Sequence, residues 1–393
     1  TKIGGRVRTI AWHPTNQNII YIGAAAGGIW KTTNKGKSWI PIFDSENILS
    51  FGALAIDNNN PNIIYAGTGE MSMMGEVYNG CGIYKSIDGG NNWYLIGLTD
   101  VGAFSKIYVH PKNSNIIYAG GAIRKSGFYK STDAGTKWTK LFDGEITDIS
   151  INPIDENEIF IGVYGKGVYY SNDGGNTWEL RGIFEEMGRR VSVQAYEKDF
   201  NIVYLLFEQN NSNGVIYKST NKGLNWELSF RGDYNFFRGQ GSYNNFITIH
   251  PSNPSIVLAG GILLWRTTDA GKTWKTVNEN TNGEDVHVDQ HCTYFNPQNN
   301  KELILGNDGG VYYSSNEGFF WENINNNIEI TQFYAMAIDY TQTNVNYGGT
   351  QDNGSIGGSS INNWKNIAGG DGFDTFVHPK NRNIIFGEYY FGI

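Results

Sequence analysis

Four stretches carry side chains that could do chemistry. The densest is His287-Val288-Asp289-Gln290-His291. With the period-two alternation of a strand, His287, Asp289 and His291 project to one side. Two imidazoles and a carboxylate can hold Zn²⁺ or another divalent ion. The same three groups can also form a hydrogen-bonded plug or touch a substrate. The other stretches are Asn307-Asp308-Gly309-Gly310, Gln351-Asp352-Asn353-Gly354 and Gly369-Gly370-Asp371-Gly372. Paired carboxylates are the acid/base equipment of glycoside hydrolysis, which makes Asp289, Asp308, Asp352 and Asp371 catalytic candidates. Each Asp-Gly or Asn-Gly step is equally a turn former. No Gly-x-Ser-x-Gly elbow, phosphate loop or Cys/His nucleophile pair is present in the sequence.

The elements that must position these groups are announced by a repeat. A phrase of Ser/Thr, any residue, Asp/Asn, any residue, Gly, two residues and Trp occurs seven times. Its acidic or amide positions are Asn34, Asp88, Asp133, Asp173, Asn221, Asp269 and Asn316. The tryptophans that end it, Trp39 to Trp321, are spaced 40 to 54 residues apart. One supersecondary unit per forty-odd residues is the signature of a propeller blade. The Asp or Asn side chain can take backbone N–H groups and hold a tight turn. The Gly suits a positive φ, and the Trp is large enough to bury between neighbouring blades. Asn replaces Asp in three copies, so the phrase reads as structural and not as a string of calcium sites.

Each unit has an alternating strand, a His-Pro or Asn-Pro turn, a more apolar strand, a Gly-rich loop, a third strand, the repeated turn and a fourth strand. The expected fold is therefore all-β: four-stranded antiparallel blades, seven in the first propeller (residues 1–327), with residues 328–393 beginning a second. A single eight-bladed ring is the alternative. The composition agrees, with 39% hydrophobic, 14% aromatic and only 17% charged residues, and 51 glycines. A net charge of −8 argues against nucleic-acid or anionic-membrane partners. No apolar run is long enough for a transmembrane span, and no leader is visible. Two cysteines exclude a disulfide framework.

The repeated turns all fall on one face of such a ring. The irregular loops fall on the other: residues 67–76, 184–190 and 231–245. The last is rich in Tyr234, Phe236, Phe237, Arg238 and Tyr243. Rings beside Arg and Asn suit recognition of a sugar or peptide, or they plug the channel mouth. The expected ligand-contacting set is Tyr234, Phe237, Arg238, Tyr243, His287, Asp289, His291, Asp308, Gln351, Asp352 and Asp371.

The repeated turns resemble the Asp-box repeats of sialidases, sortilin-type receptors and tandem-propeller xyloglucan endoglucanases. The whole chain resembles a group of large secreted propeller proteins of Bacteroidetes, sortilin-like or glycosyl-hydrolase-like. The phrases that carry this are Gly5-Arg6-Val7 with Ala11-Trp12-His13-Pro14, His287 to His291, Gly306 to Gly310, Ile330 to Tyr334, Gly348 to Ser355 and Gly369 to Gly372. The resemblance implies a secreted or cell-surface protein exported by the type IX route. The endoglucanases carry a catalytic Asp ahead of a Gly-Gly pair in the first blade, where this chain reads Ala24-Ala25-Ala26-Gly27-Gly28. That loss leads to the expectation of a non-catalytic propeller binding glycan or protein. The alternatives are a glycoside hydrolase, or a structural or exported cargo protein of a bacterial surface. No cofactor is expected beyond the divalent ion that His287, Asp289 and His291 could hold.

Overall fold

Alternating apolar and polar residues fold here into hairpins that pair in chain order. In the computed structural model, residues 2–71, 78–185, 187–210, 213–277, 285–342, 344–359 and 363–389 are described. The remainder of the 67–76 loop, residues 72–76, lies outside them. Eight sheets of four antiparallel strands follow one another, each in simple up-and-down order, and a two-stranded sheet ends the series. Among the described residues no helix is long and apolar enough to cross a membrane.

The first strands of seven sheets line the axis: Val7–Trp12, Phe51–Ile56, Ala103–Val109, Ile146–Ile151, Met187–Tyr196, Phe246–Ile249 and Gln290–Asn296. Each packs against the next, and Gln290–Asn296 packs back against Val7–Trp12. The ring thus closes at seven blades, and the eight-bladed alternative is set aside. The eighth sheet's first strand, Phe333–Ile338, packs instead against Thr375–Val377 of the two-stranded sheet. The core lies between blades. Second strands such as Ile20–Ala24 and Ile159–Val163 are buried along their whole length. Gly67 and Gly306 mark where the next blade comes closest: a Cβ there would stand 2.6 Å from Phe104 and 2.9 Å from Val7.

The repeated turn works as its residue types require. Ser171 donates to Asp173 at 2.8 Å, Asp173 accepts from the Thr177 N–H at 2.8 Å, and Gly175 N–H donates to the Ser171 hydroxyl at 2.9 Å. The indole N–H then reaches the preceding blade, as Trp93 to Ile42 O (2.9 Å) and Trp226 to Arg181 O (2.7 Å). The residue before the Gly is also left-handed, including Lys35, Ala134, Lys222, Ala270 and Glu317. Its N–H donates to the turn between the first and second strands, as Lys35 to Asn18 O at 3.0 Å, which holds the strained conformation.

Ring closure is made by side chains. Trp39 donates to Ile324 O at 2.9 Å, Asn327 bonds both backbone groups of Trp39, and Thr331 donates to Gly4 O at 2.8 Å. Lys35 pairs with Glu302 at 2.8 Å across the same seam. Burial works against the Glu302 charge, but Lys35 and Asn296 hold its carboxyl below its ordinary value of 4.5. Glu302→Gln is expected to cost about 0.5–1 kcal/mol, allowing for partial solvent screening. A depressed carboxylate stabilises at neutral pH and ceases to do so as the pH falls through its lowered value. Denaturant midpoints at pH 7 and pH 3 check this: the difference between variant and parent should shrink at pH 3.

Candidate functional site

The loops that join second to third strands, and one blade to the next, meet over one end of the axis. Arg6 and Arg8 enter from the first blade with the two-residue period of an inner strand. Glu70 follows the strand Ile64–Thr68 of the second blade, and Arg190 lies in Met187–Tyr196. Tyr243, Asn244 and Asn245 end the link into the sixth blade. Asp289 and His291 flank the start of Gln290–Asn296, and Asp308 sits in the turn after Asn299–Asn307.

These side chains form a buried network. Glu70, wholly buried, faces Arg6 Nε at 3.0 Å and Arg8 Nε at 3.5 Å. Arg6 also donates to the Tyr243 hydroxyl, and that hydroxyl donates to Asp308 Oδ2 at 2.6 Å. Arg8 Nη1 stands 2.5 Å from His291 Nδ1, and His291 Nε2 stands 2.5 Å from Asp308 Oδ1. Arg190 donates to Tyr243 O at 2.7 Å and Asn245 O at 3.0 Å. Burial and the Arg8 charge push the His291 imidazole down to about 3, so it is neutral at pH 7. Burial works to raise the Asp308 carboxyl, but His291, Arg6 and the Tyr243 hydroxyl outweigh it and hold it down to about 2.

Beside this network lies a cleft of about 240 Å³ between the seven-bladed ring and the eighth sheet. Its walls include Lys2, His287, Tyr312, Asn323, Asp352 and Asn366. Asp352 sits in the turn between Asn346–Thr350 and Gly354–Gly358 with a left-handed φ of 60°. Its N–H donates to Asp371 Oδ1 at 2.6 Å. Its carbonyl meets His287 Nε2 at 3.0 Å, and Asn353 Nδ2 donates to Asp308 O at 3.0 Å. Burial, then Asp308 and Asp371, raise the Asp352 carboxyl to about 9. Burial and Asp308 raise Asp289 to about 7, against an opposing 2.5 Å bond from Asn244. A half-buried carboxyl such as Asp352, which holds its proton at neutral pH, is equipped to donate one.

The four candidate carboxylates are thus gathered at one end but differ in access. Asp308 is fully buried with both oxygens engaged, so it cannot meet a substrate. Asp352, Asp371 and Asp289 are only partly covered. Gln351 is half-buried in the same turn as Asp352. The metal reading of His287, Asp289 and His291 is corrected. The strand begins only at Gln290, and Asp289 takes a φ of 64°, so the period-two projection fails. His287 turns to the Val288 and Asp352 carbonyls, Asp289 to Asn244 and His291 to Asp308. Among the described residues no cluster of three His, Cys, Asp or Glu could hold a metal.

The aromatic loop is corrected in part. Tyr234 and Arg238 are exposed, but Phe236 and Phe237 are fully buried against Tyr204, Ile216 and Ile247 and serve the core. Tyr243 plugs the axis. Glu70, Arg8, Asn244 and Asn353 were not singled out from sequence. Arg6 and Arg8 did leave a signal, two cations in one inner-strand register. Ala25 is buried, its N–H bonded to Arg6 O at 3.0 Å, and no carboxylate stands in its loop.

A family model described as sortilin, neurotensin receptor 3, matches residues 126–250. A xyloglucanase of Hypocrea jecorina is 25% identical over 335 residues, which cover 70% of this chain and 38% of that protein. A probable oligoxyloglucan-reducing end-specific xyloglucanase of Neosartorya fischeri is 26% identical over 198 residues, 45% of this chain and 24% of the relative. The chain therefore spans well under half the length of these curated relatives. The crystal structure of the GH74 enzyme of Niastella koreensis superposes with a TM-score of 0.73 at 19% identity, over 98% of this chain and 64% of that one. That likeness shows the propeller fold. The curated relatives are glycoside hydrolases, and this overturns the expectation of a non-catalytic binding propeller.

Proposed function

We propose that this chain carries catalytic carboxylates of a glycoside hydrolase that cleaves a β-glucan of the xyloglucan type in the cleft beside the eighth sheet. Asp352 is the general acid and gives its proton to the departing glycosidic oxygen. Asp371 and Asp289 flank it as the carboxylates able to take the base role. The catalytic Asp that the resemblance places ahead of Gly27-Gly28 is missing, so the second carboxylate comes from these residues. The observation that carries the reading is Asp352 itself, a carboxyl in the cleft wall held protonated well above neutral pH. The enzymatic relatives support it. Polysaccharides do not cross membranes, so such a substrate suits a secreted or surface protein.

The test is release of reducing ends from xyloglucan and from a panel of unsubstituted β-glucans by the purified chain. Release from xyloglucan is the expected result. No release from any member of the panel overturns the proposal.

A further inference from the structure

We propose that Asp308 is a positioning residue for Asp352: its backbone carbonyl tethers the Asp352 turn, and its buried, ionised carboxylate beneath the cleft keeps the proton on Asp352 by its charge. Its part in catalysis rests on the hydrolase reading, but the electrostatic claim stands on the protein alone.

The charge state of Asp308 follows from its partners. A guanidinium can only donate, so Arg8 Nη1 at 2.5 Å makes His291 Nδ1 an acceptor and leaves the ring hydrogen on Nε2. That hydrogen points at Asp308 Oδ1, 2.5 Å away. Arg6 donates to the Tyr243 oxygen, which frees the hydroxyl hydrogen for Asp308 Oδ2 at 2.6 Å. Both Asp308 oxygens therefore accept from groups that keep their own hydrogens, which favours the ionised form. Two short donors to one carboxylate are the arrangement that keeps it ionised.

The tether is direct. The Asp308 carbonyl holds the Asn353 amide at 3.0 Å, one residue from Asp352, while His287 holds the Asp352 carbonyl at 3.0 Å. The charges facing Asp352 are Asp308 and Asp289 from the seventh blade, Asp371 from its own side, and Arg6 from the first blade. Lys2 and His287 share the cleft wall. Asp371 and Asp289 are partly open to solvent, which screens them. Asp308 is fully buried, so water and salt screen it least. After burial, it is the largest influence raising the Asp352 carboxyl.

The experiment is a carboxyl ¹³C titration of the full chain labelled at aspartate, with the Asp352 signal assigned by its loss in Asp352→Asn. The parent should show this carboxyl titrating near pH 9. In Asp308→Asn its midpoint should fall by about 1–3 pH units. Tyr243→Phe disturbs the same packing but leaves the anion in place, so its midpoint should stay near the parent's. Should Asp308→Asn fail to fold, Asn353→Ala serves in its place. It cuts the tether on an accessible turn and should lower the midpoint in the same direction. An unmoved midpoint in Asp308→Asn, or an equal fall in Tyr243→Phe, overturns the proposal. No substrate enters this measurement, so a failure to find hydrolysis would sink the hydrolase reading and leave this result standing. Where hydrolysis is found, the alkaline limb of its pH profile should move down with the midpoint.

Discussion

Asp352→Asn is expected to lower xyloglucan hydrolysis by about 10²–10⁴-fold with KM little changed, the loss typical of removing a general acid. An amide keeps the shape of the turn and its bonds to His287 and Asp371, which run through the Asp352 backbone. Only the donated proton is lost. The pH profile gives a second check. A group must be protonated to act as an acid, so the rate should fall as pH rises through about 9, where Asp352 ionises. A base must be ionised, so if Asp289 fills that role the rate should rise through about pH 7. Asp289→Asn then removes both activity and that limb, whereas Asp371→Asn removes activity if Asp371 is the base. A fully active Asp352→Asn, or a rate flat from pH 8 to 10, would refute the assignment.

The largest expected loss of stability comes from Glu70→Ala, at about 3–5 kcal/mol. Glu70 is wholly buried and is the carboxylate that both Arg6 and Arg8 face through Nε. Burial outweighs the pull of Arg8 and Arg6 and leaves its carboxyl above the ordinary value of 4.5. Removing it strands two guanidinium groups where water cannot reach them. The loss is in the uncompensated partners, so the full pair need not be worth as much as its breakage costs. Urea unfolding of parent and variant measures the difference, and a change below about 1 kcal/mol would show that Asp308 and Tyr243 suffice for both arginines.

The fold was legible because its signal is local. The bonds from Ser171 to Asp173 and from Thr177 to Asp173 span two and four residues, so the turn is written in adjacent letters and repeated seven times. The network at the axis is the opposite case. Arg8 and His291 are 283 residues apart in sequence and touch only because the ring closes. Period-two reasoning failed at His287 to His291 because the strand had not yet begun. It could not tell Phe237 from Tyr234, since a loop has no period and burial there depends on the blade beneath. The absent carboxylate near Ala25 pointed away from catalysis for a similar reason. One loop was read by itself, while the candidate carboxylates Asp289, Asp352 and Asp371 converge from three separate segments.

Every neighbouring pair of blades but one is joined by the chain itself. The exception is the meeting of first and seventh, where Asn323 and Asn325 grip the Lys2 carbonyl and Asn326 and Asn327 grip the Gly36–Trp39 turn. Lys2, Ile3 and Asn323 also wall the cleft. The clasp of the necklace and the wall of the cleft are therefore one place: a molecule sprung at the clasp would lose that wall while its remaining beads kept their shape.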